Sequence, residues 1–139
     1  MKKMNNKGFS LVELIIVIAI MAVLMGVLAP QLLKYVEESR VQADASTFSE
    51  VENATKIALS LDDIYDSVAD GTTVTISDGA KVASTNADLQ AELLLTFPDD
   101  VDLTSKTFSS TGGKITIKMD PSTMTFSVTN DWDATLAAM

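Results

Sequence analysis

Glu13 is the only ionisable residue between Phe9 and Leu33, and it stands four positions beyond a Gly8-Phe9 junction that reads as a candidate processing site. Cutting there would place a new α-amino group on Phe9, with an unperturbed pKa of about 8 and so a positive charge at neutral pH. That amine can pair with the Glu13 carboxylate, within one subunit or, better, between neighbours. A buried ion pair adds little net stability but is good at fixing register. Smooth apolar helices that assemble with a stagger need such a device. The plainer alternative is a Glu13 in the headgroup zone of a membrane. There it costs less than the roughly 2 to 3 kcal/mol expected near the bilayer centre.

Other chemistry is sparse. The chain has neither cysteine nor histidine, which removes disulfides, thiolate chemistry, the usual zinc sites and imidazole catalysis together. Gly112-Gly113-Lys114 has Phe108 where a phosphate loop needs its first glycine and Ile115 where it needs Ser or Thr, so no nucleotide site is assigned. Asp99, Asp100 and Asp102, together with Asp131 and Asp133, offer oxygen ligands of the kind calcium takes. Their spacing is not that of an EF-hand; solvated acidic loops are the favoured reading, and no metal is assigned. Paired carboxylates without a partner base or a pocket do not suggest hydrolysis. Asn53-Ala54-Thr55 is a formal glycosylation sequon inside predicted helix and reads as a chance match. Neither an enzyme activity nor a cofactor is implied.

Glu13 is positioned by a long apolar element. Leu14 to Leu33 is a run of twenty residues without a charge, long enough at about 1.5 Å per residue to cross a hydrocarbon core of about 30 Å. Lys2, Lys3 and Lys7 precede it and should stay cytoplasmic by the positive-inside rule, which puts the rest of the chain outside. A secretory signal carries its cleavage site after the apolar region. Here the order is reversed, and the weak site Val27-Leu28-Ala29 is followed by an unfavourable Pro30. Pro30 removes a backbone donor and should kink or open the helix. Gly26, four residues earlier, weakens the same stretch by up to about 1 kcal/mol relative to Ala.

Lys7-Gly8-Phe9-Ser10-Leu11-Val12-Glu13-Leu14, followed by the apolar run and Pro30, resembles the class III signal segment of type IV prepilins. The similarity covers about residues 1–40. It implies that a membrane-embedded prepilin peptidase cuts after Gly8 and then N-methylates Phe9. It also implies that Glu13 recruits and aligns each subunit on its neighbour's N-terminus, and that the helix melts near Pro30 as a filament forms. An assembly platform and a motor ATPase are the further partners implied.

The rest of the chain is polar and acidic. The formal charge is -9 over 139 residues, and from Phe9 onward 7 basic residues face 19 acidic ones, a balance of -12. Such a body suits an exposed, soluble surface and argues against direct nucleic-acid binding, which cations drive. Helical periodicity continues through residues 34–61, with Val36, Ala43, Thr47, Val51, Ala54, Ala58 and Leu61 on one mildly apolar face. A coiled-coil seam is the alternative for that face. Arg40/Asp44 and Glu52/Lys56 are spaced as i,i+4 surface pairs. Asp62 to Ser67 should end the helix and begin a loop. Thr72 to Ile76 and Lys81 to Ser84 flank an Asp78-Gly79 turn as a short hairpin. Thr85 to Thr96 reads as a helix with Thr85 and Asp88 as its cap pair. Ile115, Ile117 and Met119 alternate before an Asp120-Pro121 turn, and Met124, Phe126 and Val128 after it; these six should cover the helix face. Trp132 reads as a packing residue.

These elements make an α+β chain: a leader (1–8), an apolar helix (9–33), its amphipathic continuation (34–61), and an acidic head with antiparallel strands (62–139). The leading function is a major-type pilin. A pseudopilin or minor pilin of a secretion or DNA-uptake machine shares these features, and a membrane-anchored binding module that never polymerises is the reading from another class.

Overall fold

The computed structural model describes residues 8–120 and 122–138. The leader lysines Lys2, Lys3 and Lys7 and the turn residue Pro121 lie outside the described residues. In order, the elements are α1 (Leu11–Ala58), α2 (Asp62–Ser67), β1 (Thr73–Ile76), β2 (Ala83–Ser84), α3 (Ala87–Thr96), α4 (Lys106–Thr111), β3 (Gly113–Asp120), β4 (Thr125–Asn130) and α5 (Trp132–Ala137). The architecture is α+β, with a four-stranded antiparallel sheet in the order β2-β1-β3-β4. Contacts divide the chain into two compact units after Val36.

In the first unit, the helix formers that follow Ser10 propagate α1 without a break, and the helix continues through Gly26 and Pro30. Pro30 has no N–H to give the carbonyl of residue 26, so one rung of the ladder is missing there. Every described residue from 8 to 36 is exposed.

In the second unit, α1 turns one stripe inward, built on Val41, Asp44, Ala45, Phe48, Val51, Thr55 and Ala58. This corrects the expected face. Val51 and Ala58 belong to it and Ala54 packs at its edge, but Val36, Ala43 and Leu61 are exposed and Thr47 is half-buried. Phe48 sets the phase. Its ring meets Phe108 edge-on at 4.9 Å and Trp132 at 5.1 Å. The ring also lies over Gly113, where an added Cβ would come within 3.2 Å of it. Trp132 is thus a core residue.

The sheet presents Val74, Ile76, Ile115 and Ile117 to this core, all fully buried. Phe126 and Val128 pack at its margin, whereas Met119 is half-buried outside the cluster and Met124 is exposed with φ 54°. Four of the six expected covering side chains therefore do so. The short hairpin forms as β1 against β2, with Val74 opposite Ser84. Asp62–Ser67 is a helix, not a loop; its N-cap Leu61 gives no side-chain bond, which is why no start signal stood in the sequence. The cap of α3 is Asn86, whose side chain accepts from the Leu89 N–H at 2.9 Å, while Thr85 Oγ1 accepts from Thr73 N–H. Gly112, at the C-cap of α4, has φ 66° and ψ -160°, and an added Cβ would lie 2.3 Å from the Ile76 carbonyl oxygen. Gly112 and Gly113 serve backbone geometry and packing.

Candidate assembly site

The candidate site is the first turn of α1 and the apolar surface that follows. Ser10 precedes the helix, and Glu13 reaches back so that its Oε2 accepts the Ser10 N–H at 2.9 Å. This is half of a capping box, satisfying one of the donors that every helix start leaves open. A carboxylate there also complements the positive end of the helix dipole. Glu13 is thus held one residue from the Phe9 nitrogen that a cut after Gly8 would release. Ser10 was not singled out from the sequence as a cap, although Ser followed three residues later by Glu is the pattern of a capped helix start.

Behind that turn, the apolar stretch of α1 has a mean hydropathy of 3.0 over its best window, and 0% of the window is buried. Leu, Ile, Val and Met side chains point to every side. Each of them stands to gain about 1.5 to 3 kcal/mol on full burial. The helix is long and apolar enough to cross a membrane.

The other candidates are not brought together. Among the described residues no group of three acidic side chains converges to hold a metal ion. Asp131 accepts the Lys114 N–H at 2.8 Å, and Asp133 lies in α5. Asp99, Asp100 and Asp102 line a shallow groove of about 420 Å³ with Thr47 and Glu50.

Asp44 carries polar chemistry that its sequence context hid. Expected as a surface partner of Arg40, it is 2% exposed. Its Oδ1 accepts from Thr104 N–H at 2.9 Å and Oγ1 at 3.2 Å; its Oδ2 accepts from Ser105 N–H at 2.9 Å and Oγ at 2.5 Å. Burial pushes this carboxyl up, but the bonds from Ser105 and Thr104 outweigh it and leave the pKa below the usual value. Ser105 in turn caps α4 by accepting the Phe108 N–H at 3.1 Å. The second expected pair does form, with Lys56 Nζ 2.6 Å from Glu52.

Residues 3–29 match the family described as the prokaryotic N-terminal methylation motif, the class III signal of type IV pilins. The match includes Gly8, Phe9, Glu13 and Gly26 and ends one residue before Pro30. No curated protein and no solved structure matches the chain significantly. The motif is a structural, pilin-type signal and not an enzymatic one; it implies processing by a prepilin peptidase, a membrane-anchored precursor and pilus assembly.

Proposed function

From a chain that carries the methylation signal of type IV pilins, we propose a structural subunit, specifically a major-type pilin, that polymerises into a surface pilus through the apolar half of α1. The observation that carries this reading is the 0% burial of that apolar stretch directly behind the signal. A surface so apolar must be covered by lipid before assembly and by like helices after it.

In this reading the lysine-bearing leader stays inside and the acidic head outside. A prepilin peptidase cuts between Gly8 and Phe9 and methylates the Phe9 nitrogen, which keeps its positive charge. Glu13, already turned toward the helix start by Ser10, meets that charge on a neighbouring copy and sets the offset between helices. Removal of a Glu13 carboxylate would leave an unpaired ammonium in an apolar bundle, a costly state. The rung missing between residues 26 and 30 is where the helix opens as subunits pack. An assembly platform and a motor ATPase drive extrusion.

Mechanical shearing tests the reading. Shear-released material should contain this chain as its dominant component. Trace amounts alone would favour a minor pilin or a pseudopilin. A chain that stays monomeric in the membrane, and is indifferent to Glu13→Ala, would be an anchored binding module.

A further inference from the structure

The sheet ends in two edges, β2 and β4, and the chain treats them differently. At β2, the Ser84 N–H donates to Gln90 Oε1, and Gln90 Nε2 donates to the Val82 carbonyl at 3.0 Å. A side chain of α3 thus stands where a further strand would pair. β4 has no such cover. The main-chain groups of Lys114 face it, since Lys114 donates to Asp131 Oδ1 and accepts the Asp131 N–H. Ile117 faces the other way, donating to the Thr72 carbonyl and accepting from the Gly71 N–H. The β3–β4 ladder therefore runs through the pairs Thr116–Thr129, Lys118–Ser127 and Asp120–Thr125. By the alternation of antiparallel pairing, Phe126 and Val128 turn their N–H and C=O away from β3. Tyr65 donates its hydroxyl to the Met124 carbonyl just before them, and among the described residues no strand pairs with β4 on that side.

Open edges are ordinarily blunted by charge, proline or a covering element. β4 reads Thr125-Phe126-Ser127-Val128-Thr129-Asn130 and carries neither charge nor proline, in a chain of net charge -9. From Thr125 to Thr129 the strand reads nearly the same in both directions: threonine, a large apolar residue, serine, a large apolar residue, threonine. An antiparallel copy centred on Ser127 therefore meets like with like. Phe126 of each chain would exchange main-chain bonds with Val128 of the other, which sets an aromatic beside a β-branched side chain on the helix-facing side. On the outer face Thr125 meets Thr129, and Ser127 meets Ser127. No charged side chain stands opposite another. On the helix side, half-buried Phe126 and Val128 line a shallow groove of about 420 Å³ with Leu59 and Tyr65, where Lys56 and Asp62 supply one charge of each sign. The groove gives the partner's apolar pair a place to lie. A foreign extended peptide would also satisfy the open rungs; the near-symmetry about Ser127 selects the copy.

Resting on the filament reading above, we propose that β4 is a self-pairing edge, adding antiparallel to β4 of a second copy about a two-fold axis at Ser127. Successive subunits of one helical filament are related by a screw operation and not by a two-fold, so this isologous contact joins heads of neighbouring filaments. One such contact is small and weak. Repeated along two filaments, it becomes an avid lateral bond.

The absence of cysteine makes the test clean. Ser127 is exposed, and Ser127→Cys sets two thiols across the axis at a separation that a disulfide bridges. Sheared filaments of Ser127→Cys, mildly oxidised and run without reductant, should give dimer and nothing larger. Thr125→Cys and Thr129→Cys, each alone, should give several-fold less, because each position meets the other across the axis. Filaments co-assembled from those two variants should recover the dimer. In the cysteine-free chain, Ser127→Lys places like charges on the axis. It should disperse filaments that otherwise sediment together at low speed, with Trp132 emission unchanged. Filaments whose Ser127→Cys gives no dimer, or no more than the two single threonine variants, overturn the pairing and leave the filament reading standing. Wild-type filaments that stay dispersed, or lateral association untouched by Ser127→Lys, overturn it as well. Where shear releases no filament, the filament reading fails on its own. The same oxidation of membrane-held Ser127→Cys then decides the strand contact, dimer supporting it and monomer overturning it.

Discussion

Between Leu11 and Val36, α1 carries leucine, isoleucine, valine and methionine on all sides and buries none of them. Between Val41 and Ala58 the same helix is more polar, yet it buries seven positions along one stripe. The contrast separates two meanings of hydrophobic. A narrow stripe with large residues at helical spacing is satisfied by one sheet of the same chain. An all-round apolar surface, left uncovered by the described residues, calls for lipid or copies of itself. The polar half is consequently the self-sufficient one.

Truncating the centre of the self-sufficient region should have the largest effect. Phe48→Ala removes a fully buried ring that touches Phe108, Trp132 and Gly113, and should cost about 3 to 5 kcal/mol in chemical unfolding followed by Trp132 fluorescence. Leu24→Ala in the other region should change that transition by less than about 0.5 kcal/mol. Similar losses from both would erase the distinction. Gly112→Ala comes next, at about 3 kcal/mol, because it forces a side chain into a glycine-only conformation and against the Ile76 carbonyl.

Asp44→Asn should cost about 1 to 3 kcal/mol by leaving donors of Thr104 and Ser105 without their acceptors, and it sharpens the comparison through pH. The folded-state pKa of Asp44 lies below its unfolded value near 3.8. As pH falls, the unfolded chain takes up the proton first. The Asp44 contribution is therefore complete above about pH 4 and is lost as pH drops through the depressed folded value. Wild type should lose stability over that range more steeply than Asp44→Asn; parallel curves would remove Asp44 from the account. Asp120, held low by its bond from the Ser122 hydroxyl, acts in the same direction in both proteins and cancels. Lys56→Ala should have the smallest effect, about 0.5 kcal/mol or less, since its pair with Glu52 is half-exposed.

What was legible in the sequence follows the range of the interactions involved. Gly8, Phe9, Glu13 and the uncharged run are local signals, as is the alternation of Ile115 and Ile117 against Phe126 and Val128. The phase of the inner helix face was misread because Phe48 was not used as its anchor, and Ala43 and Thr47 gave a false stripe of similar spacing. Asp44 was misread because its partners lie 60 and 61 residues away, while Arg40 stands at the expected distance for a surface pair. α2, α4 and α5 have six residues each, too few for periodicity to register. The α3 cap moved by one residue because Thr85 is committed to β1.

The central claim is that the apolar rod of α1 is kept, freed at its start and buried among its own kind. Intact-mass measurement on chain recovered from sheared surface filaments tests it most directly. The predicted species begins at Phe9, carries one added methyl group and retains residues 9–33. A chain that still begins at Met1, or one that has lost the rod, would contradict the account.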